Sequence, residues 1–356
     1  MVARLISLGS ALSVVLAVAV AGPAAATDGA HPGTFQQVNL VSDQPGVAAL
    51  TDPSLVNAWG ISHLANSPVW VSDNGADVTT LYRTDTAGSP VTKVPLTVSI
   101  PGGAPTGQVA NDTTAFVVPG TGLPARFIFI GENGDLSAWN GGTSAVLVAH
   151  TDGAVYKGLA LVHAASGPLL LATNFHDNRI DVFDGSFTLV STPRMFHDRW
   201  LPRGYAPFNV AEINGRVFVS YAKQDAARHD DVAGPGHGFV DVYTDSGSFV
   251  RRLATRGVLD SPWGMTIAPA TFGQFGGALL IGNFGDGRIH AFDARTGKVL
   301  GTLRATSGRP LVIDGLWALV VGDAVAGGTG AVWFSAGPDK EQHGLLGLLQ
   351  PAAARH

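Results

Sequence analysis

Three observations predict an all-β fold, a six-bladed β-propeller whose ring is closed by its N-terminal strand. A glycine or its stand-in opens an apolar strand at Gly60, Gly107, Gly158, Asn209, Gly264 and Gly315, with spacings of 47, 51, 51, 55 and 51. A second landmark keeps phase with the first. The second-strand ends recur as Trp70–Gly75, Phe129–Gly134, Leu171–His176 and Leu280–Gly285, and the third strands as Arg179–Asp184, Phe239–Tyr243 and Arg288–Asp293. Repeats of about 40–50 residues with four strands each are what propeller blades look like. Finally, the sixth unit ends without a fourth strand, while Phe35–Val41 (FQQVNLV) stands alone before the first. That orphan strand can complete the last blade.

The fifth unit shows the plan most clearly. Met265–Ala268 is a short apolar strand after Trp263-Gly264, and Ala278–Ile281 is an unbroken apolar run, as in a strand covered on both faces. Asp286-Gly287 is a hairpin signal, so Arg288–Asp293 pairs antiparallel with the preceding strand. Arg295-Thr296-Gly297 turns the chain into Lys298–Leu303. A lone four-stranded meander cannot bury both faces, so it needs neighbours of its own kind. The expected blades span about 57–100, 105–150, 156–195, 207–255, 262–304 and 313–349, the last with strand 35–41 added and a short tail at 351–356. A β-sandwich or barrel of unrelated strands is the competing architecture.

Met1–Ala26 reads as an export signal: Arg4 gives the positive start, Leu5–Ala21 the apolar stretch, and Ala24-Ala25-Ala26 a small-residue cleavage site before Thr27. The expected address is therefore secreted and extracellular. With no cysteine, neither a lipid-modified thiol nor a disulfide serves as tether or staple. The remaining 27–350 form one domain, since propellers grow by adding blades rather than cores. A net charge of −5 without long runs of one sign argues against nucleic acid as partner. No later stretch is long and apolar enough to cross a bilayer. The expected state is a monomer whose ligand is a small molecule or glycan.

In a propeller, the lead-in to each first strand and the exit of each second strand open on one face. The lead-in positions are Trp59, Thr106, Lys157, Phe208, Trp263 and Asp314, with Asn57 and Tyr156 just ahead; the exits are Asp73, Glu132, Asn174, Tyr221, Asn283 and Ala336. Oxygen donors at Asp73, Glu132, Asn174 and Asn283 suit a divalent cation such as calcium. The alternative is that Asn and Asp before Gly simply form turns, which does not account for Glu132. Asn74, Asn133, His176 and Lys223 follow the exits and keep the rim polar.

Of 11 histidines, His150, His176, His197, His229, His237 and His343 fall on this rim, while His63, His163 and His290 lie elsewhere. Zinc or copper held by rim histidines is a second option for the cation, and His is the usual base near neutral pH. Exposed loops also tolerate His without function, and no HxH or HExxH spacing occurs. No GxSxG elbow appears, nor a phosphate-binding glycine loop. Trp59 and Trp263, with Phe208, could stack on a ligand ring or pack between blades.

The runs Asn39–Asp43 (NLVSD), Thr51–Ile61 (TDPSLVNAWGI), Trp70–Gly75 (WVSDNG) and Ala336–Leu345 (AGPDKEQHGL) resemble a family of secreted bacterial six-bladed propeller proteins with no assigned activity. The match spans the whole chain after the export signal, and implies fold and export. More distantly, Pro262-Trp263-Gly264 is similar to NHL-repeat and gluconolactonase-like propellers. That resemblance implies one divalent cation held in the funnel by Glu, Asn and Asp, with Glu132 and Asn174 at matching places, and opening of lactones. Trp59 replaces the acidic residue of that pattern.

Two functions are thus expected to compete. One is a metal-assisted hydrolase or lyase with His176, Lys157 or Lys223 as acid or base, ligands Asp73, Glu132, Asn174 and Asn283, and substrate contacts from Asn57, Trp59, Asn74, Asn133, Asn209, Trp263 and His343. The other is a non-catalytic extracellular propeller that binds a glycan or protein with the long loops Met195–Pro207 and Lys223–His237.

Overall fold

The computed structural model describes residues 33–85, 90–191 and 194–353. The export segment Met1–Ala26 and its cleavage site before Thr27 lie outside the described residues. The chain forms six antiparallel sheets arranged as a propeller. Their innermost strands are Ala58–Ser62, Pro105–Ala110, Tyr156–Ala164, Tyr205–Ile213, Pro262–Ile267 and Leu316–Val321. Each packs against the next, and the sixth against the first. Successive strands of a blade then run outward in chain order.

Ring closure follows the pattern of the termini. Phe35–Ser42 pairs antiparallel with Leu345–Pro351, from Phe35 opposite Pro351 to Ser42 opposite Leu345. The paired strand therefore runs into the expected tail. A two-residue strand, Leu50–Thr51, adds parallel to its edge. In blade three the strands Tyr156–Ala164, Gly167–Asn174 and Arg179–Phe183 are followed, among the described residues, only by a Phe183–Leu189 bridge in the outer position.

Each inner strand carries a register break near its start, after its first residue in five blades and after Pro207, the third, in blade four. Ala58 opposes Asp73, yet Ile61 opposes Val71; Pro105 opposes Gly131, yet Gln108 opposes Phe129. Such bulges re-aim side chains, here those of Trp59, Thr106 and Lys157. The glycine that follows is required by crowding at the axis. A Cβ on Gly60 would sit 2.4 Å from the Thr106 carbonyl oxygen, and one on Gly107 2.5 Å from the Leu159 nitrogen.

This register corrects blade six. Leu316 opposes Ala336 as Ala58 opposes Asp73, so the counterpart of Gly60 is Ala318 and that of Trp59 is Trp317. Gly315, with φ of 63°, belongs instead with Asn57, Ala104 and Ser261, at φ of 47°, 44° and 46°. All four place a left-handed residue just before the inner strand. A glycine suits either place, which is how the sixth repeat slipped three residues and put Asp314 at the lead-in.

Among the described residues, no helix is long and apolar enough to cross a membrane.

Candidate functional site

The lead-in residues that the bulges turn inward meet as an aromatic plug. Trp59 stacks on Trp317 at 3.6 Å, Phe284 stacks on the same indole at 3.9 Å, and Trp263 stands edge-on to Trp59 and Trp317 at 6.5 and 5.9 Å. Phe208 and Phe175 join the cluster. Trp59 and Trp263, expected among the substrate contacts, are thus almost wholly buried. They wall the channel rather than line an open groove.

The second-strand exits divide by one residue. Asp73, Gly131, Asn174, Tyr221, Asn283 and Ala336 share one register place, opposite the inner-strand residue that precedes the bulge. Strand side chains alternate faces, so these point into the blades. Thr80 donates to the Asp73 carboxylate at 2.7 Å, and burial pushes that carboxyl well above its usual range. The Asn174 amide donates to Asp181 and Asp177 at 3.0 and 3.2 Å, and the Asn283 amide to the Val258 carbonyl and Asp286 at 2.8 and 3.0 Å. Asp73, Asn174 and Asn283 are thus each held within their own blade, with Asp73 Oδ1 and Asn283 Oδ1 buried and without a hydrogen-bond partner. The residues one place on, Asn74, Glu132, Phe175, Ala222, Phe284 and Gly337, reach the axis; Glu132 does so because it was assigned one residue late.

On this face a continuous polar chain crosses five blades. Trp317 Nε1 donates to Asn57 Oδ1 at 3.0 Å, and Asn57 Nδ2 donates to Glu341 Oε2 at 2.8 Å and to Asn74 Oδ1 at 3.1 Å. Asn74 Nδ2 donates to Glu132 Oε2 at 3.3 Å. Lys157 Nζ donates to Glu132 Oε1 and, at 3.3 Å, to Asp230 Oδ1. His229 Nδ1 lies 2.8 Å from the same Asp230 oxygen. Asn57 is 2% exposed and held at the positive φ that recurs just before the inner strands.

Lys157 is 2% exposed and sits 5.3 Å over the Trp59 ring. Burial works against its charge, but Glu132 and then Asp230 outweigh it and hold the ammonium above the usual lysine range. A lysine so held is a fixed cation and hydrogen-bond donor, neither a base nor an acid near neutral pH. Burial raises Glu341 against the opposing hydrogen bond from Asn57, whereas for Asp230 the charge of Lys157 overcomes burial and lowers it.

The other expected residues have structural partners. Asn133 donates to the Gly102 carbonyl, joining its turn to the loop that leads into blade two. Asn209 Nδ2 donates to the Trp263 carbonyl at 2.7 Å, joining two blades. His343 Nδ1 lies 2.7 Å from Asp43, tying the last hairpin to the closing strand. His176 pairs with Asp177 at 3.0 Å beside a rim hollow lined by Arg203, Gln224 and Arg228. Lys223 ends its strand, its carbonyl accepting from Val232 at 2.8 Å. Sequence reasoning missed Glu341, Asp230, Asp231 and Trp317. The signal for the aspartates was the run His229-Asp230-Asp231 inside the blade-four insertion.

Glu132, His229 and Asp230 bring one ligand atom each within 4.8 Å of one another. This donor set does not fit a resident divalent cation, because the buried Lys157 ammonium already bridges two of its three members. A metal would have to sit against that charge.

Asp231 adds a test of the same electrostatics. Burial pushes its carboxyl up to about 6, and its Oδ2 is buried without a partner. A raised folded pKa gives stability that is complete below the unfolded value near 4 and is lost as pH rises through about 6. Asp231→Asn should therefore raise the melting temperature at pH 8 by several degrees and leave it nearly unchanged at pH 4, as read by calorimetry at both pH values. An equal shift at both would sink this account.

No family model matches the sequence. The "Uncharacterized protein L690" of Acanthamoeba polyphaga mimivirus is 36% identical over 335 residues, which cover 89% of this chain and 86% of the relative. The "Uncharacterized protein R648" of the same virus is 32% identical over 326 residues, 87% of this chain and 78% of the relative. Among solved structures, a streptogramin B lyase superposes with a TM-score of 0.51 at 10% identity, covering 89% of this chain and 97% of its own. The Penicillium chrysogenum alpha-L-arabinanase complexed with arabinobiose gives 0.56 at 12%, covering 88% and 97%. A glucose dehydrogenase gives 0.54 at 11%, covering 90% and 99%. At such identities the likeness is one of fold. The expected kinship with secreted bacterial propellers is met at the level of the propeller, since both sequence relatives are viral.

Proposed function

The chain belongs to the propeller family that includes the mimivirus proteins L690 and R648, and from that premise we propose that it is a hydrolase or lyase acting on a small polar, lactone- or sugar-like substrate at the mouth above the aromatic plug. Propellers with enzyme names among the structural neighbours make catalysis compatible with the fold. The observation that carries the reading is the buried Lys157 ammonium, clamped by Glu132 and Asp230 where the polar chain meets the channel axis. Titratable groups with shifted pKa values cluster at functional sites, and Lys157, Asp230 and Glu341 are three such groups on one face.

In this reading Lys157 is the fixed positive charge that a developing oxyanion would meet, a role that needs no rearrangement during reaction. Glu341, raised by burial, supplies a proton to the leaving oxygen as the C–O bond breaks. His229, held through Nδ1 by Asp230, takes the proton of the attacking water on Nε2. The internal ammonium stands in for the cation expected from sequence. The reading also includes export through Met1–Ala26 and action as a monomer.

A panel of lactones and aryl esters tests it. The wild type should turn over at least one member without stoichiometric metal and without loss on chelation. Lys157→Met should lower kcat/KM by about a thousandfold, the scale of one lost oxyanion donor. Wild-type inactivity across the panel, or full activity in that variant, would overturn the reading.

One observation favours the non-catalytic alternative. Trp200, in the loop into blade four, is 59% exposed with the Arg199 guanidinium stacked at 4.2 Å. Such a platform suits a sugar face. Glycan binding lost in Trp200→Ala but unchanged in Lys157→Met would favour it.

A further inference from the structure

Beyond the plug, the channel opens at its other end into a cavity of about 520 Å³. Its walls are the downstream halves of the six inner strands, and Trp263 is the plug residue that also lines it. The volume falls within the roughly 300–1,000 Å³ of small-molecule sites. Most of its lining is apolar, with Ile61, Val109, Leu161, Val210 and Met265 among the walls.

The ionisable side chains that line this cavity are Asp112, Glu212, His63 and His163. Ser62 Oγ, Gln108 Oε1 and the Trp263 indole N–H lie sealed behind the lining, without hydrogen-bond partners. The Gln108 amide nitrogen donates to the Gly60 and Trp70 carbonyls at 2.9 and 2.6 Å, which ties the second inner strand to the first blade. At the mouth, Asp112 and Glu212 come from neighbouring blades. His163 lies between them, Nε2 at 2.9 Å from Asp112 and Nδ1 at 3.1 Å from Glu212. Two carboxylates thus share one imidazole. On the same rim His63 Nε2 lies 3.0 Å from the Val321 carbonyl, and its Nδ1 3.6 Å from Asp323.

We propose that this cavity is a second ligand site, separate from the funnel, for a small hydrophobic amine: the apolar body fills the channel beneath Trp263 and the ammonium replaces the His163 imidazole between Asp112 and Glu212. An ammonium is donor-only and matches a mouth of acceptors. The Trp263 ring adds an aromatic surface against which the apolar body packs. Anionic ligands meet two carboxylates and are rejected.

Benzylamine, benzyl alcohol and benzoate are one shape with three charges, and calorimetric titration of the whole protein separates them. Benzylamine should bind saturably, at least tenfold tighter than the alcohol, with benzoate weakest. Asp112→Asn combined with Glu212→Gln should weaken benzylamine at least tenfold and leave the alcohol within twofold. His163→Ala should act in the opposite direction and tighten the amine several-fold, because the side chain that occupies both carboxylates is gone. Glu341→Gln, in the funnel, should change none of these. No saturable binding of benzylamine below about 10 mM, benzoate binding as well as the amine, or weaker binding in His163→Ala would each overturn the proposal.

Discussion

A chain that begins at residue 44 rather than 33 is expected to lose its cooperative melting transition altogether. The strand removed, Phe35–Ser42, is the one that completes blade six against Leu345–Pro351. It carries Phe35, Leu40 and Val41, which are 1%, 3% and 0% exposed. Burying side chains of this size contributes about 1.5–3 kcal/mol each. Its loss also strips the ladder from a central strand and exposes a new edge. The sum approaches the roughly 5–15 kcal/mol that holds an ordinary domain together.

Phe35 is the sharpest single point of that closure. Its ring stacks on Phe272 and Phe275 at 4.7 and 5.8 Å, and its backbone N–H donates to the Arg304 carbonyl at 2.8 Å. It therefore bolts the last blade to the fifth. Phe35→Ala should cost about 3–5 kcal/mol, seen as a lower midpoint in denaturant with the slope unchanged. A peptide of residues 33–43 added to the shortened chain should restore the transition, in a concentration-dependent way. A shortened chain that melts within a few degrees of the full one would show that the ring does not depend on this strand.

What the sequence disclosed, and what it did not, has a common physical origin. Repeats are visible because each inner strand must pass the next at a point where Gly60 or Gly107 leaves no room for a Cβ. The closing strand is visible because an apolar run with no partner in its own repeat must find one elsewhere. The site is harder to see, since side-chain direction in a strand flips with every residue. Asp73 and Glu132 look like one position, yet a shift of one residue sends Asp73 into the blade and Glu132 to the axis. The positive-φ glycine at Gly315 disguised the sixth lead-in in the same way and hid Trp317, the indole on which the plug is stacked. Glu341, Asp230 and Asp231 were beyond any repeat argument, because they come from loops unique to their blades.

The second large effect is expected at Lys157 and follows from its burial. Removing one partner of a buried ion pair leaves charge without compensation and costs about 3–5 kcal/mol. In Lys157→Met the Glu132 carboxylate loses its ammonium and keeps only the Asn74 amide at 3.3 Å. At about 2–4 °C per kcal/mol for a chain of this size class, the melting temperature should fall by roughly 6–20 °C. Adding Glu132→Gln should return part of this loss, since the orphaned charge is gone while the hydrogen bond from Asn74 can persist. The double variant should thus be more stable than Lys157→Met alone, although Glu132→Gln by itself destabilises. That reversal of sign is specific to a charge pair, because two independent packing defects would add. Additive losses across the four proteins would mean that Lys157 supports the plug through its aliphatic stem over Trp59 rather than through its charge, and the role given to its ammonium at the funnel would fall with it.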